Sequence, residues 1–391
     1  MQVKISENVQ YVGVDDVTID LFENQYLVPE GISYNSYLIL DEKIALMDTV
    51  DRRGKDAWEA SLKETLQDRE VDYLVISHME PDHAACIADV VDKFPEITLV
   101  GNAKTFVFMD QFDEEGKLQQ VKRLEVKEGD SLSLGTHTLQ FYMAPMVHWP
   151  EVMVTYETSE KILFSADGFG KFGALSKTVD GDWACEARRY YFNIVGKYGA
   201  PVQALLKKAA TLEIEKILPL HGPILTGNLS YYLDLYQTWS SYEPENKGVL
   251  IAYASLHGNT AKAAETLGEM LREKGEEKVV VSDLARADLA EVIEDAFRYD
   301  RMILCAASYD GGVVPCMQDF LHHLQMKGYQ KRTVGLVENG TWAPSAGRTM
   351  KAMLENMKDV KVVEPMLTIR SVMKARDKDT MEQLANALLN K

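Results

Sequence analysis

Four of the eight histidines of this chain lie in patterns that could bind metal ions. The run Ser77-His-Met-Glu-Pro-Asp-His83 follows a predicted strand over residues 71–76, and three more candidate ligands follow or end later predicted strands. Side chains at the carboxyl ends of neighbouring strands can converge, so we expect a single cluster. Its candidate ligands are His78, Glu80, Asp82, His83, His148, Asp167 and His221.

Four imidazoles and three carboxylates suit two metal ions, each with two histidines and one terminal carboxylate, while the third carboxylate bridges. Imidazole with carboxylate and without thiolate favours iron or manganese. The three carboxylates would also stabilise a trivalent state, which favours redox chemistry. The competing interpretation of Asp82 as the N-cap of a following helix explains that residue alone.

A second candidate site follows a predicted strand over residues 248–254. The loop Ser255, Leu256, His257, Gly258, Asn259 and Thr260 leads into a predicted helix over residues 261–274. Backbone N–H groups and hydroxyls at a helix N-terminus can bind a phosphate. The loop lacks the lysine of an NTPase motif and the GxGxxG of a dinucleotide site. It therefore fits a terminal monophosphate such as that of FMN.

Two further loops couple glycine to an aromatic residue at the carboxyl edge of the same predicted sheet. They are Ser308, Tyr309, Asp310, Gly311 and Gly312, and Asn339, Gly340, Thr341 and Trp342. Ligands of open α/β sheets bind at this edge, where the glycines admit a ring system and the aromatic side chains can stack on it. The three loops together predict a flavin site.

The elements that must position these residues differ between the halves of the chain. Residues 248–391 alternate strands with helices, including a helix near residues 289–298 and a single strand over residues 361–369, which predicts a doubly wound parallel sheet with both faces covered. The first half is richer in strands, with a helical pattern over residues 87–93 among others. It predicts a layered α/β unit with antiparallel pairing, including a hairpin across Asp41 and Glu42. A polar stretch at residues 243–247 marks the boundary, which gives domains at 1–246 and 247–391.

Composition limits the possible functions. The chain has 391 residues and a net charge of -18, which disfavours nucleic-acid binding as its main task. No apolar stretch approaches the roughly 20 residues of a membrane helix, and the polar start (residues 1–10) has no signal-peptide pattern. We therefore expect a cytoplasmic protein. The four cysteines include no CxxC pair, so neither a disulfide framework nor a fused rubredoxin site is expected.

The chain resembles the flavodiiron proteins, or A-type flavoproteins, over essentially its whole length. The resemblance rests on four motifs: the HxExDH run with Glu80 at its second position, His148 in His-Trp-Pro-Glu, Asp167 in Ala-Asp-Gly-Phe-Gly, and His221 in Leu-His-Gly-Pro. It implies an N-terminal metallo-β-lactamase-like αββα domain followed by a C-terminal flavodoxin-like domain.

The resemblance also implies roles for single residues. His78, Glu80 and His148 would hold the iron nearer the flavin. Asp82, His83 and His221 would hold the other iron, and Asp167 would bridge the two. Tyr190 is similar to the family's tyrosine near the diiron pocket and is the candidate catalytic residue, although the register with Tyr191 is open.

The implied activity is reduction of dioxygen to water, of nitric oxide to nitrous oxide, or of both. FMN would pass electrons from an external carrier such as rubredoxin to the diiron centre, within a head-to-tail homodimer or a dimer of dimers. Two alternatives stay open: a metal-dependent hydrolase with a regulatory flavodoxin domain, and a non-catalytic redox or gas sensor.

Overall fold

The computed structural model describes residues 5–177 and 183–390, so residues 1–4 of the polar N-terminal stretch lie outside the described part. The chain divides into two compact units. The first unit comprises Met1–Tyr191 and Ala200–Gln237, and the second comprises Phe192–Gly199 and Thr238–Lys391. The short segment Phe192–Gly199 thus groups with the second unit, a feature absent from the sequence predictions. The predicted domain boundary after residue 246 stays a prediction.

Short strands dominate the first unit. In chain order they are β1 (Val9–Tyr11), β2 (Val14–Asp16), β3 (Leu21–Phe22), β4 (Tyr26–Leu27), β5 (Ile32–Tyr34), β6 (Tyr37–Ile39), β7 (Ala45–Met47), β8 (Tyr73–Val75), β9 (Thr98–Gly101), β10 (Lys122–Glu125), β11 (Ser131–Ser133), β12 (Thr138–Met143), β13 (Met153–Glu157), β14 (Ile162–Phe164) and β15 (Lys216–Leu218). The helices up to the start of the parallel sheet are α1 (Lys55–Leu66), α2 (Pro81–Ala84), α3 (Ile87–Lys93), α4 (Ala103–Phe112), α5 (Trp183–Tyr190), α6 (Gly199–Ala209) and α7 (Leu229–Ser240).

Two mixed sheets form the centre of the first unit. One has the order β1-β6-β7-β8-β9-β10 and the other the order β11-β12-β13-β14-β15. The predicted hairpin is confirmed, since β6 and β7 pair antiparallel with Tyr37 opposite Met47. Buried residues of both sheets share one core, for example Val75 on β8 with Phe141 on β12 and Phe164 on β14.

Helices cover this sandwich with apolar faces. Helix α1 buries Trp58, Leu62 and Leu66, which recur every four residues on one face of the helix. Helices on paired, facing sheets are the predicted metallo-β-lactamase-like architecture, which is thereby confirmed.

The second unit alternates strands and helices. Its strands are β16 (Asn246–Ala254), β17 (Val279–Asp283), β18 (Tyr299–Tyr309), β19 (Gly312–Val313), β20 (Thr333–Asn339), β21 (Lys361–Val362) and β22 (Leu367–Ile369). Its helices are α8 (Asn259–Glu273), α9 (Leu289–Arg298), α10 (Pro315–Met326), α11 (Ala346–Leu354) and α12 (Ala375–Leu389).

These elements form a parallel sheet with the order β17-β16-β18-β20, continued by β21 and β22 beside β20. The short β19 pairs antiparallel with the end of β18. Apolar residues of α8 and α12, such as Leu267 and Leu384, pack against Ile251 and Ile303 of the sheet. The predicted doubly wound, flavodoxin-like domain is confirmed.

One predicted strand of this unit is wrong in its extent. The sequence predicted a single strand over residues 361–369, but the structure has β21 and β22 with Pro365 between them. Proline has no N–H group to donate to a sheet, which explains the interruption. Among the described residues, no helix is long and apolar enough to cross a membrane.

Candidate metal centre and cofactor cavity

The structure brings all seven predicted metal ligands together in the first unit, in two groups. One group contains His78, Glu80, His148 and Asp167, and the other contains Asp82, His83 and His221. Within each group, the potential ligand atoms lie within 4.8 Å of one another. This division matches the two triads that the resemblance implies, with Asp167 in addition.

Asp167 lies between the two triads. Its Oδ2 atom is 3.3 Å from Nε2 of His78 and 3.0 Å from Nε2 of His148. Its Oδ1 atom is 3.8 Å from Nε2 of His83 and 4.0 Å from Nε2 of His221. The two oxygens of one carboxylate therefore face different groups, as a bridging ligand requires.

The spacing inside each triad suits a metal ion. In the first triad, Oε2 of Glu80 is 2.8 Å from Nε2 of His148 and 3.5 Å from Nε2 of His78. Ligand atoms that bind one ion at about 2.1 Å are about 3.0–3.4 Å apart in octahedral or tetrahedral geometry. The observed separations lie close to this range.

The second triad is similarly compact. Nε2 of His221 is 3.1 Å from Oδ2 of Asp82 and 3.0 Å from Nε2 of His83. Helix α2 begins at Pro81 with Glu80 at the N-cap, so Asp82 is not the N-cap and the competing interpretation of this residue is wrong.

Buried polar atoms at this cluster lack hydrogen-bond partners among the described residues. They include Nε2 of His78, Nε2 of His148, both carboxylate oxygens of Asp82 and both of Asp167. Leaving such atoms buried and unsatisfied is costly, and native proteins avoid it unless an ion or another ligand compensates. The donor set therefore fits two metal ions on geometry and on the chemistry of its atoms.

The charges of the metal-free cluster are strongly coupled. Burial opposes protonation of His148, but the neighbouring carboxylates of Asp167 and Glu80 outweigh it and raise its pKa to about 10. Burial also opposes protonation of His78, yet Asp167 raises its pKa well above the usual value. Burial and the neighbouring Glu80 raise the pKa of Asp82 to about 6. The protonation state of each group therefore depends on the charges of its neighbours.

Two residues after β7 form hydrogen bonds that position the segment of residues 77–83, which carries four of the candidate ligands. The N–H and Oγ–H groups of Ser77 donate to the two carboxylate oxygens of buried Asp48, both at 2.7 Å. The N–H and Oγ1–H groups of Thr49 donate to the carbonyl of His83, at 3.0 and 2.7 Å. Both ends of the run are therefore fixed by the loop after β7.

His221 and Asp167 are fixed by different neighbours. Nδ1 of His221 is 2.8 Å from the carbonyl of Ser33, which leaves Nε2 to face the cluster. Asp167 lies in a tight turn after β14, where Oγ–H of Ser165 donates to the carbonyl of Gly168 at 2.6 Å. Ser33, Asp48 and Ser165 were missed by the sequence analysis, because their relation to the ligands exists only in the fold.

Tyr190 lies beside the cluster. Its ring centroid is 5.5 Å from that of His221, and its buried hydroxyl has no hydrogen-bond partner among the described residues. Burial and the nearby Asp167 raise the pKa of Tyr190 well above its usual value. Tyr191 instead packs against Tyr236, at 5.1 Å between ring centroids. The geometry therefore favours Tyr190 over Tyr191 as the tyrosine of the pocket.

Glu23 is a further residue that the sequence analysis missed. It lies in the turn between β3 and β4 with a left-handed backbone, φ +49°. Glu23 is an exposed residue, but desolvation of its carboxyl together with the neighbouring Glu80 raises the pKa of this group to about 7. Phe22 of the same hairpin contacts His221 edge-on at 5.3 Å. The β3–β4 hairpin thus forms part of the pocket wall.

The three predicted flavin loops line one cavity of about 330 Å³ in the second unit. This volume is within the range of pockets that bind small molecules. The predicted residues that line it are Ser255, Leu256, His257, Asn259, Thr260, Ser308, Tyr309, Asp310, Gly311, Asn339, Gly340, Thr341 and Trp342. Gly258 and Gly312 lie beside the cavity without lining it.

The first loop leaves donors available for an anion. Helix α8 has Gly258 at its N-cap, with φ +86° and no side-chain cap among the described residues. Its first N–H groups therefore remain available for a phosphate. Oγ of Ser255 accepts from N–H of Gly258 at 3.1 Å, which holds the turn. A left-handed backbone at this position favours glycine.

The other loops add apolar surface and a set of mutual hydrogen bonds. Trp342 is 87% exposed and Tyr309 is 46% exposed, so both rings are available to a bound molecule. Asn339 exchanges hydrogen bonds with the backbone of Ser371, at 3.0 and 3.1 Å. Ser371 follows β22 and also lines the cavity. It was missed because the pattern after β22 contains no glycine-aromatic pair.

Comparison with protein families agrees with this architecture. Residues 32–222 match the family described as ODP family beta lactamase, and residues 250–386 match the flavodoxin domain. The two matches cover, respectively, the unit with the metal ligands and the unit with the cofactor cavity.

Relatives match most of the chain. An uncharacterized protein of Methanocaldococcus jannaschii is 29% identical over 95% of this chain and 93% of its own length. A putative diflavin flavoprotein of Nostoc is 31% identical over 86% of this chain. This chain spans only 58% of that relative, and 51–58% of the three cyanobacterial diflavin flavoproteins compared. An anaerobic nitric oxide reductase flavorubredoxin of Escherichia coli is 26% identical over 91% of this chain and 76% of its own length.

Solved structures share the whole fold. The rubredoxin oxygen:oxidoreductase of Desulfovibrio gigas has a TM-score of 0.91 at 24% identity, covering 100% of this chain and 98% of the other. The flavodiiron protein of Giardia intestinalis has a TM-score of 0.89 at 25% identity, covering 100% of this chain and 95% of the other. With the matched domains and the two groups of metal ligands, these findings show that the chain belongs to the flavodiiron protein family, with FMN and a diiron centre as its cofactors.

Proposed function

We propose that this oxidoreductase reduces dioxygen to water, nitric oxide to nitrous oxide, or both, with electrons passed through FMN from a separate carrier such as rubredoxin. The names of its relatives support both gases as substrates. One relative is named an anaerobic nitric oxide reductase, and a structural neighbour is named a rubredoxin oxygen:oxidoreductase. The observation that carries the proposal is the buried Asp167 carboxylate, whose two oxygens face two separate ligand triads.

The seven clustered residues are the proposed iron ligands. His78, Glu80 and His148 would hold one ion, and Asp82, His83 and His221 would hold the other, with Asp167 between the two groups. When bound, iron and reduced FMN would supply the electrons for reduction of a small gas. Three carboxylates balance much of the metal charge and favour the oxidised state.

Protons are the second requirement, because both reductions consume them. The buried hydroxyl of Tyr190 stays protonated over the working pH range, since its pKa is raised by burial and by Asp167. It is therefore available as a hydrogen-bond donor to a ligand in the pocket. Glu23 carries a carboxyl whose raised pKa, about 7, permits it to hold a proton near neutral pH.

The cofactor cavity is proposed to bind FMN with its phosphate at the N-terminus of α8. Ser255 and the first N–H groups of α8 would bind the phosphate, and Tyr309 or Trp342 would stack on the ring system. We further propose a head-to-tail homodimer, or a dimer of dimers, in which one subunit's flavin serves the partner's metal centre. Full activity of a strictly monomeric sample at assay concentration would contradict this arrangement.

The test is an anaerobic turnover experiment. The protein, loaded with iron and FMN, is reduced by a stoichiometric excess of reduced rubredoxin and then supplied with dioxygen or nitric oxide. Consumption of at least one gas with oxidation of the carrier is expected. Failure to consume either gas, with hydrolysis of a lactone or thioester by the same sample, would instead favour a metal-dependent hydrolase.

A further inference from the structure

Glu151 is a buried carboxylate close to the ligands but outside the proposed ligand set. It lies three residues after His148, in the connection between β12 and β13. The residue is only 2% exposed. Glutamate is rarely buried to this degree unless its charge has partners.

The contacts of Glu151 join two segments that carry metal ligands. Its Oε1 atom accepts a hydrogen bond of 2.8 Å from the backbone N–H of Met79. Met79 lies directly between His78 and Glu80, both in the first triad. Because His148 belongs to the same triad and is on the segment of Glu151, one carboxylate fixes two ligand segments relative to each other.

A second contact fixes the backbone of Glu151 itself. Nδ2–H of Asn102 donates to the carbonyl of Glu151, at 2.5 Å. Asn102 is the N-cap of α4, and its Oδ1 accepts from the N–H groups of Lys104 and Thr105 at 3.0 and 3.3 Å. The backbone of Glu151 is therefore anchored to the N-terminus of a regular helix rather than to a loop.

The other carboxylate oxygen of Glu151 indicates that this residue has a role beyond filling space in the core. Oε2 is buried and has no hydrogen-bond donor among the described residues. A half-satisfied buried carboxylate is costly, and a smaller apolar residue would avoid that cost. A structural advantage must offset it, and the bond to Met79 is the contact that supplies one.

We propose that Glu151 is a positioning residue of the metal centre, which orients His78 and Glu80 toward the ion that His148 also binds. The inference rests on the proposed metal site. The N–H of Met79 is the amide between two ligand residues, so its direction sets the path of the backbone from one to the other. Partners that orient ligands in this way typically change metal affinity by about 10–100-fold when they are removed.

The test compares three variants of the full chain carrying FMN. Glu151→Ala removes the acceptor, and Glu151→Gln keeps an oxygen that can accept from Met79. Glu128→Ala is the matched control, because Oε2 of Glu128 also accepts a backbone N–H, that of Met143 at 2.7 Å, outside the ligand segments. Ferrous iron affinity is measured anaerobically by competition with a chelator, together with FMN content and the melting temperature without iron.

Glu151→Ala should bind iron about 10–100-fold more weakly than the native chain. Glu151→Gln should stay within about threefold, and Glu128→Ala should be unchanged (a 1.4 kcal/mol difference is tenfold). Wild-type iron affinity in Glu151→Ala would overturn the inference, and so would a Glu151→Gln variant as defective as Glu151→Ala.

A fourth variant guards against loss of folding. Asn102→Asp keeps an oxygen to cap α4 but removes the donor to the carbonyl of Glu151, so it should weaken iron binding less than Glu151→Ala. Unchanged affinity in Asn102→Asp and in a folded Glu151→Ala would overturn the positioning role. If the native chain itself bound no iron, the proposed function would fail instead, so the two failures are distinguishable.

Discussion

The metal centre and the cofactor cavity differ in whether their polar groups already have hydrogen-bond partners within the protein. The metal centre collects buried ionisable side chains, and several of its donor atoms have no partner among the described residues. The cofactor cavity is bounded by loops whose polar groups bond to one another, as Asn339 does with Ser371, while Trp342 stays exposed. One site is completed only by its ligand, whereas the other is largely formed in advance.

This difference has a consequence for mutation. At the metal centre, each ligand atom has a specific role, so a single side chain carries a large part of the binding free energy. At the cofactor cavity, backbone N–H groups and many small contacts share the binding free energy. Single substitutions should therefore be severe in the first unit and moderate in the second.

The comparison predicts its largest effect for Asp167→Ala. Loss of the carboxylate between the triads should weaken binding of the iron pair by more than the roughly 10–100-fold typical of an outer partner. FMN content should be unchanged, because the cofactor cavity belongs to the second unit. Iron and flavin are measured on the same purified sample.

Asp110→Ala is the control for that variant, because Asp110 is on α4 and its carboxylate pairs with the Arg123 side chain at 2.6 Å rather than with a candidate ligand. It should leave both cofactors in place. Two irons per chain and normal turnover in Asp167→Ala would show that the bridging assignment is wrong.

The next largest effect is the dependence of iron binding on pH. The raised pKa values of His78, His148 and His221 mean that the metal-free cluster carries protons near neutral pH. Iron must displace them, so affinity should rise about tenfold per pH unit for each proton released. FMN affinity should change little between about pH 7 and 9, because N–H and hydroxyl donors do not titrate there.

The stability of the metal-free protein should change in the opposite sense. A histidine with a raised folded-state pKa stabilises the fold fully below its unfolded value, near 6.5. For His148, this contribution is lost as pH rises through about 10. Chelator competition and thermal unfolding at several pH values measure both trends. Iron affinity independent of pH would contradict the coupling, as would an equal trend for FMN.

The sequence predicted the main elements and a set of candidate ligands, which the structure brings together, for identifiable physical reasons. Dense apolar periodicity defined α3 and α9, whose predicted and observed bounds agree. Buried strands with hairpin or crossover spacing, such as β6 and β16, were also predicted. The ligands stood out because histidine and carboxylate residues directly follow such strands.

The remaining features required the fold. The strands β3 and β4 have two residues each, which is too short for any periodic pattern. Asp48 and Glu151 contact the ligand run from 29 and 72 residues away along the chain. Residue type alone does not distinguish such a partner from any other acidic residue. Ligands can thus be recognised in a sequence, but the residues that orient them cannot.

Thr260→Lys tests the cofactor cavity with a smaller expected effect. Thr260 is only 2% exposed at the start of α8, so a lysine must displace its neighbours or enter the phosphate site. The dissociation constant of FMN should rise about tenfold, which is about 1.4 kcal/mol. Iron content should not change. Thr266→Lys, further along α8, is the control, since Oγ1–H of Thr266 donates to the helix carbonyl of Lys262 at 2.8 Å.

If Thr260→Lys retained native flavin affinity, the loop before α8 would not be the phosphate site. If Thr260→Lys lost FMN completely while Thr266→Lys did not, one position would carry most of the binding free energy of FMN. The contrast drawn between the two regions would then be wrong. Both outcomes are read from the flavin absorbance after dialysis against a known FMN concentration.

Tyr190→Phe should leave binding of both cofactors unchanged, so it separates chemistry from binding at the metal centre. The variant removes only a buried hydroxyl without a partner among the described residues, so the folded state should be as stable or slightly more stable. Iron and FMN should be retained. Turnover should fall about tenfold, at or below the lower end of general-acid effects, because Glu23 remains to supply protons.

Tyr191→Phe is the matched control and also resolves the register left open by the sequence, because Tyr191 packs on Tyr236 rather than on a ligand histidine. Normal turnover in Tyr190→Phe together with reduced turnover in Tyr191→Phe would reverse the assignment. A loss of iron in Tyr190→Phe would instead show that this hydroxyl supports the ligands. In that case the contrast drawn above would extend to a residue that binds no metal, and Tyr190 would be a positioning residue like Glu151.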